Sequence, residues 1–575
     1  MTTRSELSRA RSPGLSRGLS RTRTFALSAA LFVFALGLLL ATTDSLGYAR
    51  DEGFYFTAAR RYQAWFELLA ERRALALDRR AVDAAWVANH EHPGLMKSLF
   101  ALSNAVLHER WGLFERPGTS FRFPAMALAA AMVVVVHRWL ERRVGALFGL
   151  VGALSLLFMP RVFYHAHLAC FDVPITALYV FVFFAWQRAL EAPLTGRRAA
   201  WPIVCGLTFG AALATKHNAW FLPVGLIAHL GLTVLRRAVA PVPGDEPARR
   251  RLARGLTSLG AMAALGPTVF FATWPWLWFD TRARLAEYVA FHVDHVFYNM
   301  EFLGQTYFEP LFPRAYAPMM MMGTVSTITL VLGATGGVVA LRALVRVVVR
   351  RRSAGVSRRE VLRAEEALLW ILGVGLSLGP WVFDTTPIFG GTKHWMPAYP
   401  FLAMLAATGA HRAARAAKVL VRSSRLRPWV AATVALAAVL APMRAALHAH
   451  PWGLTAYTPI VGGAQGAATL GLNRTFWGYP TDQVMDDVAR VAPRGAKVFP
   501  HDTARASWEM LREDGVVGKR YEAVWTIPAA DFAVYHHEQH MQVEEYQAWV
   551  AYETVEPLVV EGLDGVPVVW VYRRP

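Results

Sequence analysis

Long apolar runs dominate this chain and limit the folds that it can adopt. Runs of about 17 to 25 apolar residues recur along most of its length, and each is long enough to cross a membrane as a helix. The chain has 575 residues and is 55% hydrophobic, which is too apolar for an ordinary soluble protein of this length. The sequence therefore predicts an all-α polytopic membrane protein.

Arginine clusters between the apolar runs predict how the chain is oriented. Such clusters mark cytoplasmic connections, and here they recur in alternate connections, at residues 138–143, 188–198, 236–254, 342–363 and 412–427. With the basic residues 1–23 also inside, we expect about eleven spans, near residues 24–44, 119–136, 144–160, 173–189, 200–217, 219–235, 256–275, 317–341, 367–383, 395–411 and 429–447. The net charge of +19 then reports topology and contact with the lipid bilayer, and we expect no nucleic-acid partner.

Three regions differ in composition and predict the domain organisation. Residues 1–23 form a basic cytoplasmic N-terminus, and the first span after them is longer than a signal-peptide core, which favours an uncleaved signal anchor. Residues 24–447 form the membrane domain, whose first outer loop carries amphipathic stretches that predict interfacial helices at 62–70 and 95–107. Residues 448–575 contain strand-like pieces at 496–499, 532–535 and 566–572, which predict a small α/β domain on the outer side.

Asp51 and Glu52 are adjacent carboxylates that come soon after the first span. Ionisable groups at the mouth of a membrane helix are costly to hold near hydrocarbon and are candidates for function. The alternative is that the pair merely ends a helix and lies in water. We predict a catalytic site at this pair because the other unusual polar residues are predicted on the same face of the membrane.

These other residues come from separate outer connections of the predicted topology. They are His92, Lys97, Arg122, His165, Asp172, Lys216, His217, Lys393 and His394. Each one alone is more simply explained as solvated or as reaching out to the interface. Gathered at one depth, the cations suit a phosphate group, and the carboxylates suit removal of a hydroxyl proton or binding of a divalent cation. The pattern predicts group transfer from a lipid phosphate.

Several motifs resemble, in order, the landmarks of the GT-C glycosyltransferases. The nearest branch is the protein O-mannosyltransferase and lipid A aminoarabinose transferase group, whose members use dolichyl- or undecaprenyl-phosphate sugars. The resemblance covers about residues 24–412. It is carried by Arg-Asp-Glu-Gly-Phe-Tyr at 50–55, His-Pro-Gly-Leu-Met-Lys at 92–97, Arg-Phe-Pro-Ala at 122–125, Asp-Val-Pro at 172–174, Lys-His-Asn at 216–218 and Lys-His-Trp-Met-Pro-Ala-Tyr-Pro at 393–400.

The resemblance implies roles for individual residues. Asp51, with Glu52 beside it, matches the aspartate that takes the proton of the acceptor hydroxyl in the family. His92 and Lys97 fall on a motif near the donor phosphate, although glycine and methionine replace two of its residues here. Lys393 stands where many relatives have arginine, which keeps the charge but loses the bidentate fork.

The remaining candidates complete the expected site. Arg122 and Lys216 are expected beside the donor phosphate, and His165, His217 and His394 beside the substrate. Asp51 and Asp172 could together hold a divalent cation, Mg²⁺, Mn²⁺ or Zn²⁺, and no other cofactor is expected. In the tail, residues 473–479 (Asn-Arg-Thr-Phe-Trp-Gly-Tyr) are either acceptor-binding or a simple loop.

The sequence thus predicts an inverting glycosyltransferase that moves a sugar from a polyprenyl-phosphate donor to a hydroxyl of an extracytoplasmic acceptor. We expect it in a bacterial inner membrane, with the site and the C-terminal domain on the periplasmic side. One alternative is a transporter or flippase for a lipid-linked sugar, which would place ionisable residues midway along several helices. The other is a sensor or assembly protein in which the outer domain acts and the membrane carboxylates are dispensable.

Overall fold

The computed structural model describes residues 13–192, 196–349 and 356–575, without the side chains of residues 13–21, 23, 197 and 198. Arginines 4, 9 and 11 of the basic N-terminus and the arginines at 350–352 therefore lie outside the described residues. The described helices are α1 Pro13–Thr42, α2 Arg50–Glu71, α3 Arg73–Ala76, α4 Arg79–Trp86, α5 Leu95–Ser103, α6 Pro117–Val144, α7 Ala146–Leu157, α8 Pro160–His167, α9 Asp172–Glu191, α10 Trp201–Leu213, α11 Leu222–Val239, α12 Ala248–Ala272, α13 Thr281–Val293, α14 Tyr316–Thr324, α15 Thr327–Val349, α16 Arg358–Leu378, α17 Tyr399–Leu420, α18 Val430–Ala449, α19 Gly463–Thr469, α20 Met485–Val491, α21 Arg505–Glu513 and α22 Gln542–Tyr552.

Two sheets accompany these helices. A short antiparallel hairpin joins β1 Met300–Phe302 to β2 Gln305–Tyr307. The second sheet has five strands in the order β4-β3-β5-β7-β6, which are β3 Lys497–Pro500, β4 Glu522–Ala523, β5 Phe532–His536, β6 Val559–Leu563 and β7 Val566–Arg573. The three strand-like pieces predicted in the tail are β3, β5 and β7, so the expected small α/β domain is confirmed.

The membrane-spanning character is confirmed by helix length and composition. Within the described ranges, seven helices are long and apolar enough to cross a membrane, and α7 with α8 forms a further candidate that bends by 68°. The chain is therefore an integral membrane protein with a mostly helical fold. All eleven predicted spans overlap helices, and the number that crosses the bilayer stays a prediction.

One predicted span differs from the structure. The apolar run at 317–341 is divided between α14 and α15. The break has a tertiary cause, because the carbonyl of Gly323 accepts a hydrogen bond of 2.7 Å from the backbone N–H of Thr458. The carbonyl of Met322 accepts a second bond, of 3.2 Å, from the hydroxyl of Thr458. The tail therefore ends α14 at a point that the apolar composition does not mark.

Small residues allow the spanning helices to pack closely. A Cβ on Gly336 in α15 would lie 1.9 Å from the carbonyl oxygen of Leu405 in α17, and one on Gly409 would lie 2.0 Å from that of Leu332. Such close approach is typical of membrane helices, where packing replaces the hydrophobic effect as the force between them. At the centre of the bundle, 83% of the apolar window of α9 is buried, so α9 is a rigid support for residues at both of its ends.

The C-terminal domain packs on the end of the bundle that carries Asp51, which we call the cavity end. Side chains of the first outer loop and of the domain belong to one continuous core, which includes Trp86, Trp274, Trp508 and Val569. The start of α2 is tied to the tail by backbone, since the N–H of Arg50 donates to the carbonyl of Trp477 at 2.8 Å. The predicted domain boundaries at residues 23 and 447 stay predictions.

Candidate active site

A cavity of about 450 Å³ opens at the cavity end, between the starts of α2 and α9, the end of α13 and the C-terminal domain. Of the eleven predicted site residues, all of which the structure describes, seven line it: Asp51, His92, Asp172, Lys216, His217, Lys393 and His394. The other four, Glu52, Lys97, Arg122 and His165, are buried outside its lining. Residues separated by hundreds of positions in the sequence therefore meet in this cavity. The motifs also contribute residues that do not reach the cavity, and these pair with other side chains or with the backbone.

Asp51 lies in the first turn of α2 and faces Lys393. Its Oδ2 is 3.4 Å from the ammonium group of Lys393, which also lies 4.2 Å from the ring centre of Trp477. Gly390 has a φ of +68°, and a Cβ on it would lie 2.5 Å from Cε of Lys393. The glycine is therefore needed both for the backbone conformation and for the room that the lysine occupies.

Asp172 begins α9 and is held by a second lysine. Its Oδ1 accepts a hydrogen bond of 2.7 Å from Nζ of Lys216, which stands in the break between α10 and α11. The break confirms the expectation that residues 200–235 form two helices. Behind Asp172, Nδ1 of His165 is 3.9 Å from its second oxygen. His165 thus supports the cavity from behind, through Asp172 and through the ring of Trp477, whose centroid is 5.5 Å from its own.

Glu52 and Arg122 form a buried ion pair away from the cavity. Their side chains are 0% and 1% exposed, and Arg122 donates two hydrogen bonds of 2.8 Å to the carboxylate. The carboxylate also accepts the backbone N–H groups of Ala49 and Ala169 at 2.9 Å, and Arg122 donates to the carbonyl of Gly47 at 2.6 Å. The pair joins the chain around the start of α2 to the connection before α9. Its position favours a structural role over the predicted catalytic and phosphate-binding roles.

Lys97 also points away from the cavity. Its ammonium group donates to the carbonyls of Asn89 and His92, the latter at 2.9 Å, and burial lowers the pKa of Lys97 to about 7. His92 itself lines the cavity, where burial and then the charge of Lys97 lower the pKa of its imidazole well below the ordinary value. His92 is therefore neutral at pH 7 and offers a hydrogen bond rather than the positive charge that the motif suggests.

Two more predicted histidines line the cavity and are held by their neighbours. The ring of His217 stacks on that of His292 in α13, with centroids 4.0 Å apart. His394 contacts the backbone carbonyl of Phe389 through Nε2. Burial and the adjacent Lys393 lower the pKa of His394 well below its ordinary value, so its imidazole is also neutral.

Arg161 is a cavity residue that the motifs do not single out. It is 3% exposed, and its Nε and Nη2 atoms are buried without a hydrogen-bond partner. The other cations of the lining are paired, Lys216 with Asp172, Lys393 with Asp51, and Arg50 with Asp502 at 2.6 Å. Within the part of the chain that the structure describes, Arg161 has no carboxylate partner. The one signal in the sequence is its place in the connection that ends at Asp172.

The C-terminal domain supplies further cavity residues, of which Trp477 belongs to the segment 473–479 that the sequence marks as acceptor-binding or loop, and Glu538 carries no sequence signal. Trp477 lies against Lys393 with a φ of +75°, which is rare for a bulky residue and typical of a backbone held by its surroundings. Glu538 lines the cavity beside Asp502. Burial, followed by the charge of Asp502, raises the pKa of Glu538 well above its ordinary value. Burial also raises the pKa of Asp502, but the adjacent Arg50 opposes this rise, so Glu538 is the carboxyl group of the two that holds a proton more strongly.

The lysines beside Asp51 and Asp172 do not favour the predicted divalent cation. Asp51 and Asp172 both line the cavity, but each faces the ammonium group of a lysine, which would compete with a dication. Among the described residues, no group of three or more His, Cys, Asp and Glu side chains is placed to hold a metal ion. The residues do not fit a resident cation well, and the bridging ion stays a prediction from the sequence.

One protein family matches part of the chain. Residues 105–242 match the model of the family described as dolichyl-phosphate-mannose-protein mannosyltransferase. This segment contains Arg161, Asp172 and Lys216 but not Asp51 or Lys393. The match indicates a glycosyltransferase and agrees with the resemblance to GT-C enzymes in the motifs. No curated protein matches the chain.

Solved structures similar to this chain include ArnT from Cupriavidus metallidurans in the apo state, at 15% identity. The match covers 96% of this chain and 98% of that one, with a TM-score of 0.49. ArnT from the same organism bound to undecaprenyl phosphate has 16% identity, coverage of 94% and 97%, and a TM-score of 0.44. The archaeal oligosaccharyltransferase AglB from Archaeoglobus fulgidus, in complex with an inhibitory peptide and a dolichol-phosphate, has 11% identity, coverage of 72% and 55%, and a TM-score of 0.46.

Proposed function

We propose that this protein transfers a sugar from a polyprenyl-phosphate donor to a hydroxyl group of an extracytoplasmic acceptor. The observation that carries the proposal is the cavity at one end of the bundle, in which a carboxylate, Asp51, meets a cationic wall that includes Arg161. Apolar side chains such as Met320, Ile388 and Phe389 share the lining. A site that is apolar and cationic at membrane depth suits a lipid with a phosphate head group.

Arg161 is the residue that we assign to the donor phosphate. A buried guanidinium with unsatisfied N–H groups is costly unless an anion completes its hydrogen bonds, and a planar fork matches two oxygens of a phosphate. Lys216 and Lys393 lie in the same cavity and add positive charge, although each is shared with a carboxylate. This assignment puts the phosphate on the side of the cavity formed by α8 and α9.

Asp51 is the residue that we assign as general base. Its side chain is 22% exposed and lies in the cavity, so an acceptor hydroxyl can reach its oxygens. Lys393 orients the carboxylate, and Trp477 from the C-terminal domain supports the lysine. A base of this kind contributes about 10²- to 10⁴-fold to a rate.

The reaction follows in one displacement. The acceptor oxygen attacks the anomeric carbon and loses its proton to Asp51, a new C–O bond forms, and the bond from the anomeric carbon to the phosphate oxygen breaks. The bonding electrons leave on the phosphate, where Arg161 and the lysines stabilise the growing charge. Attack opposite the leaving group inverts the anomeric centre, and the lipid product is the polyprenyl phosphate.

The proposal is tested on the purified protein with a small panel of polyprenyl-phosphate sugars. We expect one donor to raise the melting temperature and to be hydrolysed or transferred. Asp51→Asn should lower turnover by at least about 100-fold while donor still raises the melting temperature. Full turnover by Asp51→Asn would contradict the assigned base. Asp44→Asn is the matched control, because Asp44 is an exposed carboxylate near the end of α1 and lies outside the cavity.

Arg161→Gln separates donor binding from proton transfer. Removing a charge-assisted, bidentate contact should weaken donor binding by about 10- to 100-fold. Arg161→Lys should recover only part of this loss, because lysine keeps the charge without the planar fork. The measurement is the donor concentration that gives half of the melting-temperature shift. Arg282→Gln, at an exposed position of α13, is the control, and equal donor affinity in Arg161→Gln and the control would overturn the assignment.

A further inference from the structure

A second polar pocket lies at the opposite end of the bundle from the active-site cavity. It has a volume of about 320 Å³ and is enclosed by the last turns of α6 and α9 and by the first turns of α16. Asp172 at the start of α9 lines the active-site cavity, and Arg188, about 24 Å further along this helix at 1.5 Å per residue, lines the second pocket. The alternation of arginine clusters places this end of the bundle in the cytoplasm.

Arginine dominates the lining of this pocket, which we call the basic pocket. The lining contains five arginines and two glutamates, namely Arg142, Arg143, Arg188, Arg359, Arg363, Glu191 and Glu366. Arg143 pairs with Glu366 at 2.7 Å and Arg188 with Glu191 at 2.8 Å. Among the described residues, Arg142, Arg359 and Arg363 have no carboxylate partner within 4.0 Å, so the pocket carries three positive charges that are not compensated.

The floor of the basic pocket is formed by packed and hydrogen-bonded side chains. Trp139 donates its indole N–H to Glu366 at 2.6 Å, and the guanidinium of Arg143 lies 4.5 Å from the ring centre of Trp370. Two further lining atoms, Oε1 of Gln187 and Nε of Arg188, are buried without a hydrogen-bond partner. Arg142, Arg359 and Arg363 are exposed at the rim, as arginines that only mark topology also are, but such arginines would not leave buried polar atoms unsatisfied beside a cavity.

We propose that the basic pocket binds a phosphate group, supplied by the head group of an anionic lipid of the cytoplasmic leaflet. Three uncompensated guanidinium groups and a buried N–H group match the charge and the acceptor oxygens of a phosphate. Phe184 and Leu362 in the same lining provide an apolar side for the lipid. Basic pockets between spanning helices on the cytoplasmic side are typical sites for anionic head groups. Because α9 joins the two sites, this site would anchor the helix that carries Asp172.

The test measures binding and does not depend on catalysis. The full chain in detergent is titrated with phosphatidylglycerol, with phosphatidylcholine and with inorganic phosphate, and bound molecules are counted by native mass spectrometry. We expect phosphatidylglycerol to bind and phosphatidylcholine not to bind. The triple variant Arg142→Gln, Arg359→Gln, Arg363→Gln should weaken phosphatidylglycerol binding by about 100-fold, at about five-fold per arginine.

The matched control removes the same charge elsewhere on the same side. Arg415→Gln, Arg422→Gln and Arg425→Gln change exposed residues at and beyond the end of α17 and should weaken binding by less than about five-fold. An equal loss in both triple variants, or equal binding of the two lipids, would overturn the proposal. Competition of inorganic phosphate with phosphatidylglycerol in the wild type, together with loss of phosphate binding in the pocket variant, would support the site. This result would show that a phosphate group is sufficient for binding without the lipid chains. Size-exclusion profiles and melting temperatures establish that the variants are folded.

Discussion

At the scale of single residues, access to the cavity separates the charged side chains that a substrate can reach from those that hold the chain together. Asp51 and Glu52 are neighbours in sequence, but Asp51 lies in the cavity and Glu52 is 0% exposed against Arg122. The two side chains point about 100° apart on α2; Asp51 lines the cavity, whereas Glu52 is turned toward Arg122. A doublet of carboxylates in the sequence can therefore combine one cavity residue with one member of a buried ion pair.

Glu52→Gln should destabilise the protein rather than remove a catalytic group. Loss of one member of a buried pair leaves the other charge uncompensated, which costs about 3 to 5 kcal/mol. We expect a lower melting temperature and lower yield, with turnover per folded molecule of similar size to that of the wild type. Glu71→Gln, at an exposed position of the same helix, is the control. A variant with wild-type stability and no turnover would instead support the catalytic role that the family motif implies.

Seven of the predicted site residues line the cavity, whereas Arg161, which the sequence places in the same outer connection as His165 and Asp172, is given no role there by sequence reasoning. The predicted residues share a signal that can be read locally, because each belongs to a short motif between two apolar runs. Arg161 is in such a connection too, but what distinguishes it among the described residues is that it has no carboxylate partner and that its Nε and Nη2 atoms have no hydrogen-bond partner. That property depends on residues far away in the chain, such as Tyr457, whose ring centre is 5.2 Å from its guanidinium group.

At the scale of elements, the turn before Lys393 sets the geometry of the base. Gly390 and Gly391 have φ values of +68° and +56°, and this turn directs the lysine back over Trp477 and toward Asp51. The sequence shows the two glycines, yet it does not show that the space of a Cβ at Gly390 is taken by the lysine itself.

Gly390→Ala should therefore lower activity without unfolding the protein. A Cβ would lie 2.5 Å from Cε of Lys393, and the lysine would have to move by about an ångström, which can cost on the order of 100-fold in rate. The measurement is kcat/KM with the donor found in the panel. Gly495→Ala is the control, since Gly495 also has a positive φ, of +80°, and a Cβ on it meets no atom within 4 Å. Equal kcat/KM in both variants would contradict the positioning role of this turn.

Helix ends were predicted well where polar residues or turns interrupt the apolar run. They were predicted poorly where a helix ends at hydrogen bonds to a distant segment of the chain. The tail strands and the interruption at Lys216 follow from local pattern, since polar residues or turns bound each of them. The break between α14 and α15 follows from hydrogen bonds that Thr458 makes to carbonyls of Gly323 and Met322. No property of residues 317–341 alone contains that information.

At the scale of the whole molecule, the C-terminal domain forms part of the candidate active site. Trp477 and Glu538 line the cavity, and Asp502 holds Arg50, the residue before the proposed base. The groups around Glu538 are Asp502, Arg50, Glu301 and His540, so its proton is controlled by the domain, the start of α2 and the β1–β2 hairpin together.

This arrangement predicts how stability changes with pH. Folding raises the pKa of Glu538, so the native state holds a proton over a pH range in which the unfolded chain, with a glutamate pKa of about 4.3, has lost it. The resulting stabilisation falls as pH rises toward and through the folded pKa of Glu538. In Glu538→Gln the amide cannot ionise, and we expect its melting temperature to decline less than that of the wild type as the pH rises from about 5, just above the unfolded glutamate pKa, to about 9.

A matched variant makes this comparison specific. Glu522→Gln changes an exposed glutamate of strand β4 in the same domain and should follow the wild-type pH dependence. If Glu538→Gln and Glu522→Gln gave the same slope of melting temperature against pH, the protonated carboxyl group would not be a feature of the folded protein.

The amino-acid sequence by itself determined the class of the protein and which connections contribute polar residues to the cavity end. Apolar length, arginine alternation and short motifs are local properties, and the bilayer converts them directly into spans and orientation. Only the tertiary structure decided which charges are paired and which remain free. Asp51 and Lys393, for example, are 342 residues apart. Their contact depends on the packing of the whole bundle and its outer domain, and no local pattern specifies it.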